Sequence, residues 1–181
     1  ITPQGGTYME AGLRQGTELF RELIAVDKTE YENRIIFLTD AMPNIGDTSE
    51  EGLLGMTQKN ANDGIYLTFI GIGVDFNTEL TEAITKIRGA NYYSVHSNSE
   101  FQERMDEGFD YMVTPLVFDL ELKLDARGYE IMKVYGSPEA NEVTGEIMKV
   151  NTLFPSKTAD GETKGGIVLL KLKKFSDDVK L

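Results

Sequence analysis

The feature that most constrains this chain is an apolar run that stops on an acid. It reads Arg34-Ile35-Ile36-Phe37-Leu38-Thr39-Asp40 and is followed by Ala41-Met42-Pro43-Asn44. Four consecutive large apolar residues, 35–38, predict a strand buried on both faces, because a strand with one wet face alternates apolar with polar side chains. Asp40 then stands where a buried strand meets solvent. In open α/β sheets the carboxyl end of a central strand is where ligands bind. The competing reading is turn chemistry, since Asp, Pro and Asn are all common turn residues.

Read in order, the chain alternates helix and strand up to residue 113. Thr7 and Glu10 have capping-box spacing and open a first helix, with Met9, Leu13, Phe20, Leu23 and Ile24 on one apolar face. Thr7 follows Gly5-Gly6, so the backbone there can approach an ion or a phosphate closely, although a plain N-cap satisfies the same pattern. Thr48 and Glu51 repeat the spacing before a helix carrying Leu53, Leu54 and Met56 that ends near Gly64. Residues 65–71 form a second apolar strand, and the loop Gly71-Ile72-Gly73-Val74-Asp75-Phe76-Asn77 leads to a third helix with Leu80, Ile84 and Ile87, stopped by Gly89. Residues 92–95 are a short third strand. Ser99 and Gln102 predict the cap of a fourth helix, whose face is Phe101, Met105, Phe109 and Met112. This alternation predicts a parallel sheet covered by helices.

The pattern changes at Val113-Thr114-Pro115. Phe118, Leu120, Leu122 and Leu124 alternate with Asp119, Glu121 and Lys123, which predicts one-side-buried antiparallel strands. Further strands are expected at 129–135, 143–150 and 167–173. The predicted organisation is an α/β domain over 1–113 and a smaller all-β domain over 114–181.

Composition excludes several functions. The net charge of −12 opposes binding to nucleic acid or an anionic membrane, both of which need clustered Lys and Arg. No apolar run reaches membrane-spanning length. The absence of cysteine removes disulfides, thiolate metal sites and cysteine nucleophiles. A cation or a basic partner fits the charge better.

Three signals converge on the carboxyl edge of the expected sheet: Gly5-Gly6-Thr7 before a helix, Asp40 at a strand end, and the loop 71–77 at the next strand end. Together, Gly-Gly-Thr opening an amphipathic helix, Leu38-Thr39-Asp40-Ala41-Met42-Pro43-Asn44 and the 71–77 loop resemble the von Willebrand factor A domain, over roughly residues 5–112. The resemblance extends to bacterial proteins that join this domain to a β-sandwich. It implies a Rossmann-like doubly wound sheet with a metal-ion-dependent adhesion site at its carboxyl edge, in which Thr7 and Asp40 are metal ligands. The cation implied is Mg²⁺, or Mn²⁺ or Ca²⁺ in its place. Such a site binds a protein ligand through an acidic side chain of that ligand, and the resemblance points to the surface or envelope of a bacterium.

The family's Asp-x-Ser-x-Ser motif does not occur in these 181 residues. The α/β domain is therefore expected to be incomplete at its N-terminal side, with a further segment supplying a strand and the remaining ligands. Without them the ion is expected to be weakly held. The same conclusion follows from the apolar 35–38 run, because an unpaired apolar edge is an aggregation template.

The leading functional expectation is a non-enzymatic protein-binding module. The alternatives are a scaffold that keeps the fold without a working metal site, and a Mg²⁺-dependent phosphoryl-transfer enzyme. For the enzyme, Met42 stands where a phosphoaspartate pattern needs a second Asp, and Gly5-Gly6-Thr7 lacks the lysine of a P-loop. The one histidine, His96, is expected to be an exposed loop residue.

Overall fold

A computed structural model describes residues 9–23, 25–27, 30–40, 52–73, 78–125, 127–158 and 165–175. The chain divides into two compact units, Ile1–Pro115 and Leu116–Leu181. The first is a mixed α/β unit built on three parallel strands, β1 (Asn33–Thr39), β2 (Ile65–Ile72) and β3 (Asn91–Val95), in the order β1-β2-β3. Its helices are α1 (Met9–Glu18), α2 (Leu53–Asn62), α3 (Thr78–Thr85), α4 (Asn98–Met105) and α5 (Phe109–Val113).

The two faces of the sheet carry different covers. Alternate residues Leu67, Phe69 and Tyr92, with Ile35 and Phe37, pack against Met9 and Leu13 of α1, Leu53, Leu54 and Ala61 of α2, and Leu80 and Ile84 of α3. The intervening residues Ile36, Ile70 and Tyr93 meet Phe101, Met105, Phe109 and Met112 from α4 and α5. Both clusters follow from the period-two alternation of side chains along a strand. Where α1 meets α2, the Asn60 amide donates to the Thr17 hydroxyl (2.8 Å), which donates to the Leu13 carbonyl (2.9 Å).

The strand buried on both faces is β2, not β1. Ile65, Leu67, Phe69 and Ile70 are at most 1% exposed, whereas Ile35, Ile36 and Phe37 are half-buried and Leu38 is 45% exposed. The reason is position: β2 is the middle strand, and β1 has one paired neighbour among the described residues.

Arg34 enters β1 with its side chain only 6% exposed. Its Nε meets Glu32 (2.8 Å), its Nη1 donates to the Thr68 hydroxyl (3.0 Å) and the Gly89 carbonyl (2.9 Å), and the guanidinium lies 5.6 Å from the centre of the Tyr66 ring. Burial pushes its pKa down, opposed by the Glu32 carboxylate. Gly89, at φ +73°, turns the chain from α3 into β3, and a Cβ there would run into the Tyr66 ring. One buried cation thus ties the start of β1 to β2 and to the turn before β3.

Three helix expectations need correction. The first helix ends at Glu18, so Phe20 and Leu23 lie in tight turns closed by i to i+3 bonds such as Leu19 N–H to Gly16 O (3.3 Å). The Thr17 back-bond to Leu13 favours that exit. The described N-cap of α2 is Gly52, while Thr48 and Glu51 lie outside the described residues. The fourth helix splits into α4 and α5, because Gly108 N–H bonds back to the Glu103 carbonyl (2.8 Å) and closes α4. A Cβ at Gly108 would lie 3.1 Å from that same carbonyl oxygen.

The second unit contains β4 (Val117–Lys123), β5 (Tyr129–Tyr135), β6 (Glu146–Leu153) and β7 (Leu169–Lys174), paired antiparallel as β4-β6 and β5-β7. The strand expected at 143–150 starts at Glu146 instead. Asn141 Oδ1 accepts the Val143 and Thr144 N–H groups (3.1 and 3.2 Å), an Asx turn that holds this segment out of the ladder and leaves Val143 98% exposed. Likewise β7 starts at Leu169, and Ile167 is 83% exposed. No helix among the described residues is long and apolar enough to cross a membrane.

Candidate functional site

The carboxyl ends of the three parallel strands form the candidate site. β1 delivers Thr39, which is buried, and then Asp40, which is exposed. The ladder sets Thr39 beside Gly71 and Ile72 beside Val95, so the three strand ends lie side by side. β2 leaves the sheet through Gly73, at φ +67°, whose N–H donates to the Val95 carbonyl (2.8 Å). Residues 74–77, which follow this left-handed residue in the sequence, lie outside the described residues.

The end of β3 carries a set of side-chain and backbone hydrogen bonds. Ser94 Oγ and His96 Nε2 are 3.2 Å apart, as side chains two residues apart on one strand face can be. The His96 N–H donates to Glu100 Oε2 (2.7 Å), and the Glu100 N–H donates to Ser97 Oγ (3.2 Å). These two bonds form a reciprocal cap on α4, so Ser97 is the N-cap and Ser99 is displaced by two residues from the cap expected for it. Glu100 is spent on a backbone N–H, not on the imidazole ring. His96 is exposed.

Of the two expected metal ligands, the structure brings Asp40 to this edge as an exposed carboxylate. Thr7 lies outside the described residues, as do Gly5, Gly6 and Ala41. Among the described residues no group of three or more His, Asp or Glu side chains is placed to hold a metal ion. Asp40 therefore meets one requirement of a Mg²⁺ site, an accessible oxygen donor, and does not meet the rest alone.

No family model matches the chain. Among solved structures, it is similar to a von Willebrand factor type A protein from Catenulispora acidiphila, with 17% sequence identity and a TM-score of 0.47. That similarity covers 98% of this chain and 49% of the other, so the chain spans about half the length of the protein it matches.

Sequence reasoning missed the Ser94–His96 contact and the Glu100–Ser97 cap. Both were available as spacings: Ser and His at i and i+2 on a strand end, and Ser followed three residues later by Glu. The Ser97-to-Glu100 pair is a stronger capping box than Ser99 with Gln102, since a carboxylate also favours the positive end of the helix.

Proposed function

We propose that the first unit is a non-enzymatic protein-interaction module that works from the carboxyl edge of its parallel sheet. The single observation that carries this is Asp40, an exposed carboxylate at the carboxyl end of β1, an outer strand of the parallel sheet among the described residues. In the finer form of the reading, Asp40 and Thr7 are two oxygen ligands of a Mg²⁺ ion, or of Mn²⁺ or Ca²⁺. A bound ion supplies an open, electrophilic position that an acidic side chain of the protein ligand can fill. Asp40 and Thr7 hold such an ion weakly, because Mg²⁺ demands near-octahedral oxygen coordination.

The remaining ligands and a fourth parallel strand come, in this proposal, from a further segment that pairs with β1. The support is that β1 is an outer strand among the described residues and leaves Leu38 45% exposed. The two antiparallel pairs of the second unit are read as the halves of a β-sandwich, because each carries an apolar face. Phe118, Leu120, Met148 and Val150 form one, and Ile131, Val134, Leu170 and Leu172 the other.

The scaffold alternative, an A-type fold without a working metal site, draws on the absence of an Asp-x-Ser-x-Ser motif from the 181 residues. Phosphoryl transfer is disfavoured by Met42 at the position of a second aspartate.

Titration of the chain with Mg²⁺, followed by amide NMR, separates these readings. The module reading expects weak, saturable shifts centred on Asp40, with a dissociation constant of roughly millimolar. Asp40→Ala and Thr7→Ala should each remove them. A flat titration in the wild type assigns the unit to the scaffold class. Mg²⁺-dependent turnover of acetyl phosphate, lost in Asp40→Ala, would overturn the non-enzymatic reading.

A further inference from the structure

The second unit has a basic sheet edge in an acidic protein. In the β5-β7 pair, Tyr129, Ile131, Val134, Leu170 and Leu172 share one face, and these are half-buried or buried. The opposite face presents Glu130, Lys133 and Tyr135 from β5 and Leu169, Lys171 and Lys173 from β7, all exposed. Lys133 is engaged by Glu142 at 3.4 Å. Lys171 and Lys173 have no carboxylate within ion-pair distance among the described residues.

The two outer edges of this pair are not equivalent. On β5, the Val134 N–H donates to Glu142 Oε1 (3.2 Å), so a side-chain carboxylate occupies a position where a neighbouring strand's carbonyl would bind. That edge is blunted. On β7, which pairs with β5 alone among the described residues, the outer backbone groups face no strand.

We propose that the outer edge of β7 takes up an extended segment of a partner protein in which acidic and apolar residues alternate. Strand addition supplies main-chain hydrogen bonds, and the alternation of side chains supplies the selection. On one face the incoming residues lie beside Lys171 and Lys173, where carboxylates are favoured. On the other they extend the Leu170 and Leu172 surface, where apolar side chains are favoured. Leu169, 63% exposed, adds apolar contact beside the lysines.

Lysines on an edge strand are also a recognised defence against edge-to-edge association. Here the defence is selective. Within the ladder Lys171 already stands opposite Lys133, whose charge Glu142 offsets at 3.4 Å. A second copy of β7 would set lysine against lysine with no such carboxylate, and like charges directly across a ladder are destabilising. The edge therefore rejects its own copy and accepts an acidic strand.

The test uses the full 181-residue chain and a fluorescent peptide of alternating valine and glutamate, read by anisotropy. Saturable binding is expected, weakened about tenfold by Lys171→Glu combined with Lys173→Glu. The same double variant should gain affinity for a peptide in which lysine replaces glutamate, which also shows that it is folded. N-methylation of one alternating set of peptide amides should abolish binding, and methylation of the other set should leave it. The proposal is overturned by an absence of saturable binding to the wild type, by equal binding of the glutamate and lysine peptides, or by binding that tolerates both methylation patterns. A concentration-dependent dimer removed by the double variant would assign the edge to a second copy and overturn it as well.

Discussion

The two units solve the problem of stability differently. Among the described residues of the first, sixteen hydrophobic side chains are buried, including Phe69, Leu13, Leu80 and Ile84 at 0% exposure. Among the described residues of the second, Val134 and Ile147 are the only buried hydrophobic side chains, at 5% and 9%. Exposed large hydrophobics run the other way, six in the first unit against ten in the second. Charge divides as unevenly: residues 1–115 carry nineteen acidic and eight basic side chains, and residues 116–181 carry eleven and ten. The first unit is thus an interior wrapped in acid. The second is two strand pairs with much of their apolar surface uncovered, and two-stranded pairs are marginal without something to pack against.

The contrast is broken most directly in the cores. Phe69 is fully buried in the middle strand, its ring 5.7 Å from that of Phe37. Phe69→Ala should cost about 3–5 kcal/mol. Val134→Ala, the equivalent deletion in the second unit, should cost only about 1–2 kcal/mol. Calorimetric unfolding of both variants measures this, and equal losses would mean that the second unit has a core as consequential as the first.

The next largest effect concerns the buried cation. Arg34→Ala removes the partner of Glu32, Thr68 and the Gly89 carbonyl together, which should destabilise the first unit by about 3 kcal/mol. Arg34→Lys should recover part of this, because an ammonium can reach one of these acceptors but cannot fork between them. In the second unit the corresponding ion pairs are exposed. Lys149→Ala, which removes a 3.7 Å pair with the exposed Glu121, should leave stability essentially unchanged, because a solvent-exposed pair is screened and its Coulomb gain is offset by side-chain entropy. Denaturant midpoints of the three variants test the ranking.

Much of this was legible in the sequence, and the parts that were not share a cause. The parallel alternation was readable because period and punctuation are local: Gly64 and Gly89 close helices at φ +78° and +73°, as their positions after the last apolar residue suggest. Asp40 was readable as an exposed acid because the apolar run stops one residue before Thr39. What could not be read depends on distant partners. Arg34 looks like a solvated charge before a strand, and its burial rests on a carbonyl 55 residues away. The splitting of the fourth helix depends on Gly108 reaching the Glu103 carbonyl, which competes with a continuous apolar face at Phe101, Met105, Phe109 and Met112. Two-face burial was assigned to β1 because four apolar residues look alike in a middle and an outer strand. Of the candidate site, Asp40 is placed at the sheet edge, and Thr7 lies outside the described residues.

The smallest effect sharpens the comparison through pH. Among the described residues, the carboxylates whose pKa values are lowered, Glu121 and Glu142, both belong to the second unit. Glu142 is held below its ordinary value of 4.5 first by backbone N–H donors, its own and that of Val134, and then by Lys133. A folded pKa below the unfolded one means that the stabilisation is fully present above about pH 4.5 and is lost as pH falls through the lower folded value. Glu142→Gln keeps an acceptor for the Val134 N–H but cannot titrate. The wild type should therefore lose stability relative to Glu142→Gln as pH drops below the ordinary carboxylate value, with the gap constant above it. Unfolding midpoints of the second unit in that acid range read the effect directly. A gap that does not change with pH would show that Glu142 acts on the β5 edge by shape alone, and that its charge contributes nothing to blunting it.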